Sequence, residues 1–93
     1  MKMRSSIVNI TNELAEKCTL NVDITLIYNL ILDYCKKNNT LHTPRKNTYD
    51  IKNGVLSING QNIERVDPLP GCHIVIEDEA YYWEGKKLAA QGL

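Results

Sequence analysis

The residues of this sequence that could perform acid–base chemistry or bind a metal are concentrated near its C-terminal third. Three consecutive acids, Glu77-Asp78-Glu79, follow an apolar run that starts just after Cys72-His73. Consecutive side chains on an extended chain point to opposite faces, so the three carboxylates do not converge on one ion. A calcium loop would instead spread its ligands over about twelve residues around a central glycine. We interpret the triplet as a solvated hairpin turn with its tip at Asp78-Glu79, rather than as a metal or acid–base site.

The cysteines and histidines lack the spacing of a zinc site or of a catalytic pair. The candidates are Cys18, Cys35, His42, Cys72 and His73. No Cys-x-x-Cys motif is present, and the adjacent Cys72 and His73 would diverge on a strand, which argues against zinc and against a thiol–histidine nucleophile. No glycine-rich phosphate loop is present either. We therefore predict no catalytic residue, metal, cofactor or small-molecule substrate, and hence no enzyme.

Composition and charge favour a small globular domain with a protein partner. The 93 residues suffice for one domain, 1–93, and 43% of them are hydrophobic. The net charge is zero, whereas nucleic-acid binders usually carry a basic excess, so nucleic acid is the less favoured partner. The charge is divided, at +3 over residues 1–47 and −3 over 48–93. This division indicates either ordinary exposed faces or a dipolar molecule that docks on a charged partner.

Targeting signals are not evident in the sequence. The basic N-terminus is not followed by the apolar run of a signal peptide, and no stretch approaches the roughly 18 apolar residues that span a membrane. The odd number of cysteines also argues against a secreted disulfide framework. We expect reduced thiols, a cytosolic location and no membrane association.

The first 40 residues have helical periodicity. A first helix is predicted over about 6–18, with Ser5 or Ser6 as its N-cap. Its apolar residues have three- and four-residue spacing: Ile7, Ile10, Leu14 and Cys18.

A second helix is predicted over about 22–37, with Asn21 as N-cap and Asp23 in the first turn. One apolar stripe comprises Ile24, Ile27, Tyr28, Ile31, Tyr34 and Cys35, and three further leucines, Leu26, Leu30 and Leu32, extend beyond it. A helix that is apolar around most of its circumference is either covered on two sides or docks on a partner. Both interpretations stay open. Coverage on two sides would require the first helix against one side of the second helix and the sheet against the other.

From residue 47 onward the sequence has strand periodicity and turn signals. Asn53-Gly54 and Asn59-Gly60 predict two tight hairpins, and Glu84-Gly85 predicts another turn. The predicted strands are 48–51, 54–58, 61–66, 72–76, 80–83 and 86–90. We therefore predict an α+β fold in which an N-terminal helical hairpin, about 5–39, packs on a small C-terminal antiparallel β-meander or barrel-like sheet, about 47–90.

Three groups of residues are candidates for partner binding: leucines of the second helix, a basic group around its C-terminal end, and aromatic residues of a late strand. They are Leu26, Leu30, Lys36, Lys37, Arg45, Lys46, Tyr81 and Trp83. The basic residues could equally belong to a solvated connector, and the aromatic residues could complete the core, since the sequence has no Phe.

The segments "ILDYCKKNN", "TYDIKNGVLSI" and "GCHIVIEDEAYYWEGKKL" together resemble small virion proteins of tailed phages and prophages of Gram-positive hosts. The likeness covers about residues 22–88. These proteins lie at the head–tail neck or in the tail, and place a few helices beside a small β-region. The resemblance implies a non-enzymatic assembly role, ring-forming oligomers, a location in the host cytoplasm or virion, and no catalytic residue.

The sequence thus predicts a small non-enzymatic interaction or assembly protein, of the type of a phage structural adaptor, whose partner is another protein or further copies of itself. The alternative is a phage-encoded regulatory or inhibitor protein that binds a host protein or nucleic acid through the basic loop.

Overall fold

The computed structural model of the protein describes residues 2–18 and 21–68, and the strand segments 75–77, 81–84 and 87–90. Side chains are described for residues 6–18 and 21–68. Two helices, α1 (Lys2–Lys17) and α2 (Ile24–Lys37), precede a short 3-10 helix, Pro44–Lys46. Six strands follow, namely β1 (Tyr49–Lys52), β2 (Val55–Ile58), β3 (Gln61–Arg65), β4 (Val75–Glu77), β5 (Tyr81–Glu84) and β6 (Lys87–Ala90). The predicted α+β class, with an N-terminal helical hairpin and antiparallel β-structure after it, is confirmed.

The first helix begins earlier than predicted. It starts at Lys2, so Ser5 and Ser6 lie inside it and the prediction that one of them is the N-cap was wrong. The preceding Lys, Met and Arg are good helix formers, and no residue there forces the helix to begin later. The predicted spacing is confirmed, because Ile7, Ile10 and Leu14 are all buried.

The only polar residue among the buried side chains described is Thr11, on the same face of α1. Its Oγ1 donates a hydrogen bond of 2.9 Å to the carbonyl oxygen of Ile7, one turn earlier. The hydroxyl is therefore satisfied within the helix and needs no partner from elsewhere.

The second helix is capped by Asp23 rather than by Asn21, which corrects the prediction. The backbone of Asp23 is extended, and its Oδ1 accepts a hydrogen bond of 3.0 Å from the amide of Leu26. A carboxylate at this position satisfies an amide that has no partner within the helix and also complements the helix dipole. At the other end, the amide of Asn38 donates to the carbonyl of Tyr34.

The two predicted Asn-Gly hairpins are confirmed. Asn53 and Gly54 have φ of 52° and 78°, and Asn59 and Gly60 have φ of 53° and 80°. Two consecutive residues with positive φ define the hairpin turn whose twist matches that of the strands, and asparagine and glycine tolerate this conformation best. Gly54 is also closely packed, because a Cβ there would lie 2.7 Å from Cβ of Asp67.

The first sheet has the order β1-β2-β3 and is antiparallel throughout. Its register shifts between Leu56, which pairs with Glu64, and Ser57, which pairs with Asn62. This bulge leaves Ile63 as the extra residue, and its half-buried side chain packs against the core. The opposite face carries polar residues such as Asp50 and Lys52, which are exposed.

The core lies between the helical hairpin and this sheet. Its buried members are Ile7, Val8, Ile10, Leu14, Ala15, Val22, Ile24, Ile27, Tyr28, Ile31, Cys35, Leu56, Ile58 and Val66. Val66 also links the two parts through its backbone, since its amide donates to Gly54 and its carbonyl accepts from the amide of Asp23. The end of the first sheet is thereby attached to the start of α2.

The remaining strands form a second antiparallel sheet with the order β4-β5-β6. Val75 pairs with Glu84, and Glu84 pairs in turn with Lys87. The sequence predicted either a β-meander or a barrel-like sheet. The described strands form two three-stranded meanders. The predicted turns at Asp78-Glu79 and Glu84-Gly85 include residues outside those that the structure describes.

Candidate interaction surface

The outer face of α2 combines apolar and charged residues in one row. With about 100° between successive residues, Leu26, Leu30, Asp33 and Lys37 lie within about 60° of one another. Their row is about 145° around the helix from the centre of the buried stripe, which comprises Ile24, Ile27, Tyr28, Ile31 and Cys35. We call the four residues of this row, together with the N-cap Asp23, the outer ridge. Their spacing of three, four, three and four residues is that of the seam along which two helices associate.

The two ridge leucines are half-buried, whereas the stripe on the inner face is fully buried. Leu26 and Leu30 rest against the edge of the core, and Tyr34 flanks them on one side, also half-buried. On the other flank lie the exposed Asn29 and Lys36, and Leu32, half-buried as well, lies farther round the helix beside Tyr28. The ridge therefore presents a narrow apolar strip between charged ends, and the inner face alone closes the core.

An ion pair marks the C-terminal end of the ridge. Nζ of Lys37 lies 3.1 Å from Oδ2 of Asp33, one turn earlier, and the side chains are 74% and 59% exposed. An exposed pair at this spacing adds only a few tenths of a kcal/mol to helix stability. Both charges are thus accessible to a second molecule.

The predicted basic group is divided by ion pairs within the chain. Arg45 makes two hydrogen bonds to Glu13 on α1, of 3.2 Å and 2.7 Å. This hydrogen bonding lowers the pKa of Glu13 and raises the pKa of Arg45. Lys37 is paired with Asp33, whereas Lys36 and Lys46 are exposed. Two of the four predicted positive charges therefore already have an acidic neighbour, which weakens the group as a phosphate-binding surface.

A polar network joins the C-terminal end of α2 to the first sheet. Nδ2 of Asn47 donates to Oγ1 of Thr40 at 2.9 Å and lies 3.3 Å from the Tyr49 hydroxyl. That hydroxyl donates to the carbonyl of Pro44 at 2.6 Å and is 3.7 Å from Sγ of the buried Cys35. Burial of the ring raises the pKa of Tyr49 to about 12. The network fixes the connector between the helical and β parts, and its thiol has no solvent access.

Two shallow clefts border these features. One, of about 250 Å³, lies between α1 and β1 and includes Glu13, Lys17, Arg45 and Tyr49 in its wall. The other, of about 240 Å³, lies on the polar face of the first sheet beside Asp50, Lys52 and Ser57. Both are open and mostly polar, unlike the enclosed, mainly apolar pockets that hold small ligands.

Among residues 6–18 and 21–68, no three His, Cys, Asp or Glu side chains are close enough to share a metal ion. Cys18 is half-buried and its thiol donates to the carbonyl of Leu14, whereas Cys35 is fully buried. His42 is exposed. Cys72, His73 and the side chains of the acidic triplet lie outside the residues that the structure describes.

The predicted aromatic site can be placed only by its backbone. In the second sheet Tyr81 pairs with Ala90, and Trp83 pairs with Leu88. The side chains of both lie outside the described part of the chain, so their participation in a partner site stays a prediction.

Sequence reasoning missed Glu13, Asn47 and Asn59 as residues that hold the connector. Nδ2 of Asn59 donates to the Tyr34 hydroxyl and to Oδ1 of Asn47, at 3.1 and 3.0 Å. Asn59 was assigned only to a turn, and no sequence signal relates Glu13 to a cation 32 residues away.

No protein-family model matches the chain, and neither a curated protein nor a solved structure matches it. Within the stretches that the structure describes, no helix has the length and apolar character needed to cross a bilayer. The function is therefore inferred from the surface of the chain itself.

Proposed function

We propose that this chain is a small non-enzymatic interaction and assembly protein that binds a protein partner through the outer ridge of α2. The observation that carries the proposal is the contrast between the two faces of this helix. The inner face completes the core, and the outer face still carries Leu26 and Leu30, half-buried, between charged residues. Apolar centres with charged rims are typical of protein–protein interfaces.

The resemblance to virion proteins at the head–tail neck or tail of tailed phages supports the same role. Such an adaptor works by binding neighbouring subunits, in the host cytoplasm and then in the virion. Among the described side chains, no cysteine or serine lies beside a histidine that could act as its base. The buried thiol of Cys35 contacts the hydroxyl of Tyr49 and the side-chain amide of Asn47 instead. We assign no catalytic residue.

A regulatory role through nucleic acid is the weaker candidate. It would depend on Lys36, Lys37, Arg45 and Lys46, and the ion pairs of Arg45 with Glu13 and Lys37 with Asp33 oppose it. Replacing Lys36 and Lys46 by Ala is expected to leave binding of the chain to DNA and RNA at background level, as in the wild type.

Site-specific photo-crosslinking tests the proposal. A photoreactive amino acid replaces Leu30 in one variant and Ser57, on the polar face of the first sheet, in a matched control. In cells that naturally carry the gene, we expect a discrete adduct with a polypeptide from position 30 and little from position 57. Equal labelling from both positions, or no adduct from position 30, would contradict the proposal.

A further inference from the structure

We propose that the partner of the outer ridge is a second copy of this chain, packed with its α2 antiparallel to the first. This inference rests on the proposed function and specifies its partner. Like most soluble homo-oligomers, the pair would be related by a two-fold axis, so that each ridge contacts the same ridge of the other copy.

The charges of the ridge set the direction of packing. Asp23 stands at the N-terminal end of α2, and Lys37 stands at the C-terminal end, 74% exposed. In a parallel pair, each lysine would meet the lysine of the other copy. In an antiparallel pair, Lys37 of one copy meets Asp23 of the other, and the two helix dipoles also oppose each other favourably.

The carboxylate of Asp23 has the capacity for this contact. Its Oδ1 accepts the amide of Leu26 as the helix cap. A carboxylate has two oxygens and about four acceptor sites, so capping leaves room for an ammonium donor. The lysine would join the cap rather than replace it.

The apolar residues are compatible with this register. Residue 30 is midway between positions 23 and 37, so aligning the opposite charges places Leu30 on the two-fold axis, against Leu30 of the second copy. Leu26 then lies opposite Tyr34, and both are half-buried in the single chain. Charge pairing and leucine packing are therefore compatible with one and the same arrangement.

The size of the ridge implies a weak, concentration-dependent dimer. From position 23 to position 37 it is about 21 Å long. One helix pair of this length buries less surface than the roughly 1,200–2,000 Å² of stable complexes. We expect dissociation constants in the micromolar range or weaker for the isolated chain, which suits a subunit that assembles only at high local concentration.

Sedimentation equilibrium of the purified chain at low salt, up to about 1 mM, tests the inference. The average mass should rise from that of one chain toward that of two. Lys37→Glu should weaken the dimer about tenfold, because each of two symmetric contacts becomes a repulsion. Lys36→Glu makes the same charge change off the ridge and should change the dissociation constant less than about twofold.

The size of the Lys37→Glu effect decides the arrangement. In a parallel dimer the variant would still place two like charges at position 37, so an unchanged or stronger dimer overturns the inference. A second variant, Leu30→Asp, should abolish the dimer while its circular dichroism stays that of a folded chain. Because Lys37 is at the surface, Lys37→Glu should leave the chain folded. The test therefore remains valid even if Leu30→Asp unfolds the chain.

A strict monomer at about 1 mM also overturns the inference. The photo-crosslinking result then separates it from the proposed function. An adduct from position 30 of twice the mass of the chain supports the second copy. An adduct with a different polypeptide retains the assembly role and rejects self-association, and no adduct rejects both.

Discussion

The inner and outer faces of α2 are both apolar, but they have different surroundings. The inner face, with Ile24, Ile27 and Ile31, is fully buried against α1 and the first sheet. On the outer face, Leu26 and Leu30 are only half-buried, and charged residues follow them in the same row. One face stabilises the fold, and the other is the face that we propose for association.

From this difference we propose that the outer face of an over-apolar helix in this small domain is covered by a partner rather than by a second layer of the same chain. A chain of 93 residues has limited material with which to cover it. In the described part of the structure, α1 and the first sheet enclose the inner face, and the outer leucines reach only the edge of the core.

Replacing Ile27 by Ala has the largest expected effect. Truncation of this fully buried side chain should lower the free energy of unfolding by about 2–5 kcal/mol, through lost burial and the remaining cavity. Leu26→Ala removes the same number of carbons one position away and should lower it by about 1 kcal/mol, because that side chain is half-buried. Urea unfolding, followed by circular dichroism at a concentration where the chain is monomeric, measures both. Equal losses would contradict the assignment of the two faces.

Alkaline pH tests the polar network at the end of the inner face. Burial raises the pKa of Tyr49 from 10.0 to about 12, so the folded chain retains a proton that the unfolded chain has lost. Stability from this group is fully present below pH 10 and is lost as the pH rises through about 12. We expect a loss of about 1 kcal/mol in unfolding free energy. This is less than the whole pKa shift would give, because the ring is only half-buried and solvent screens it.

Tyr49→Phe is the matched control, since the other tyrosines and the lysines titrate in both proteins. The difference in unfolding free energy between wild type and variant should shrink by that amount across the window. A difference that is constant with pH would show that Tyr49 is not shielded in the folded chain.

Arg45→Ala has the smallest expected effect. Its two hydrogen bonds to Glu13 connect the 3-10 helix to α1, but both side chains are more than half exposed. Exposed ion pairs contribute about 0.2–1 kcal/mol, and salt screens them. The loss in unfolding free energy should therefore be under about 1 kcal/mol and should decline further in about 0.5 M NaCl. Arg65→Ala serves as a comparison, because the guanidinium of Arg65 lies 3.8 Å from the carboxylate of Asp67, whereas that of Arg45 lies 2.7 Å from the carboxylate of Glu13. A loss above about 2 kcal/mol would mean that the connector depends on Glu13.

Local signals allowed much of the fold to be predicted. Asn53-Gly54 and Asn59-Gly60 determine their turns because few other residues tolerate positive φ at two consecutive positions. The stripe of α2 was predicted correctly except at Tyr34, which is half-buried, because a period of 3.6 residues over fourteen positions is a strong signal. The N-caps were not, since Ser5, Ser6, Asn21 and Asp23 are all competent and only the packing of the chain selects one.

Contacts between distant residues could not be predicted from the sequence. Arg45 was grouped with other basic residues by proximity in sequence, whereas the fold brings it to Glu13 on α1. The bulge at Ile63 and the division of six strands into two sheets depend likewise on tertiary packing. For the candidate site, the sequence identified Leu26 and Leu30 as excess apolar residues. The structure added that both are half-buried and that Asp33 and Lys37, in the same row, form an exposed ion pair.

The most direct test of self-association through α2 is a concentration series of amide ¹H–¹⁵N NMR spectra of the chain. We expect that the amide shifts that change with concentration belong to the outer ridge, namely Leu26, Leu30, Asp33 and Lys37. Ser57 and Asn62, on the polar face of the first sheet, should stay unchanged. Changes confined to that sheet or to residues 42–46, or no change up to about 1 mM, would contradict a partner surface formed by a second copy on α2.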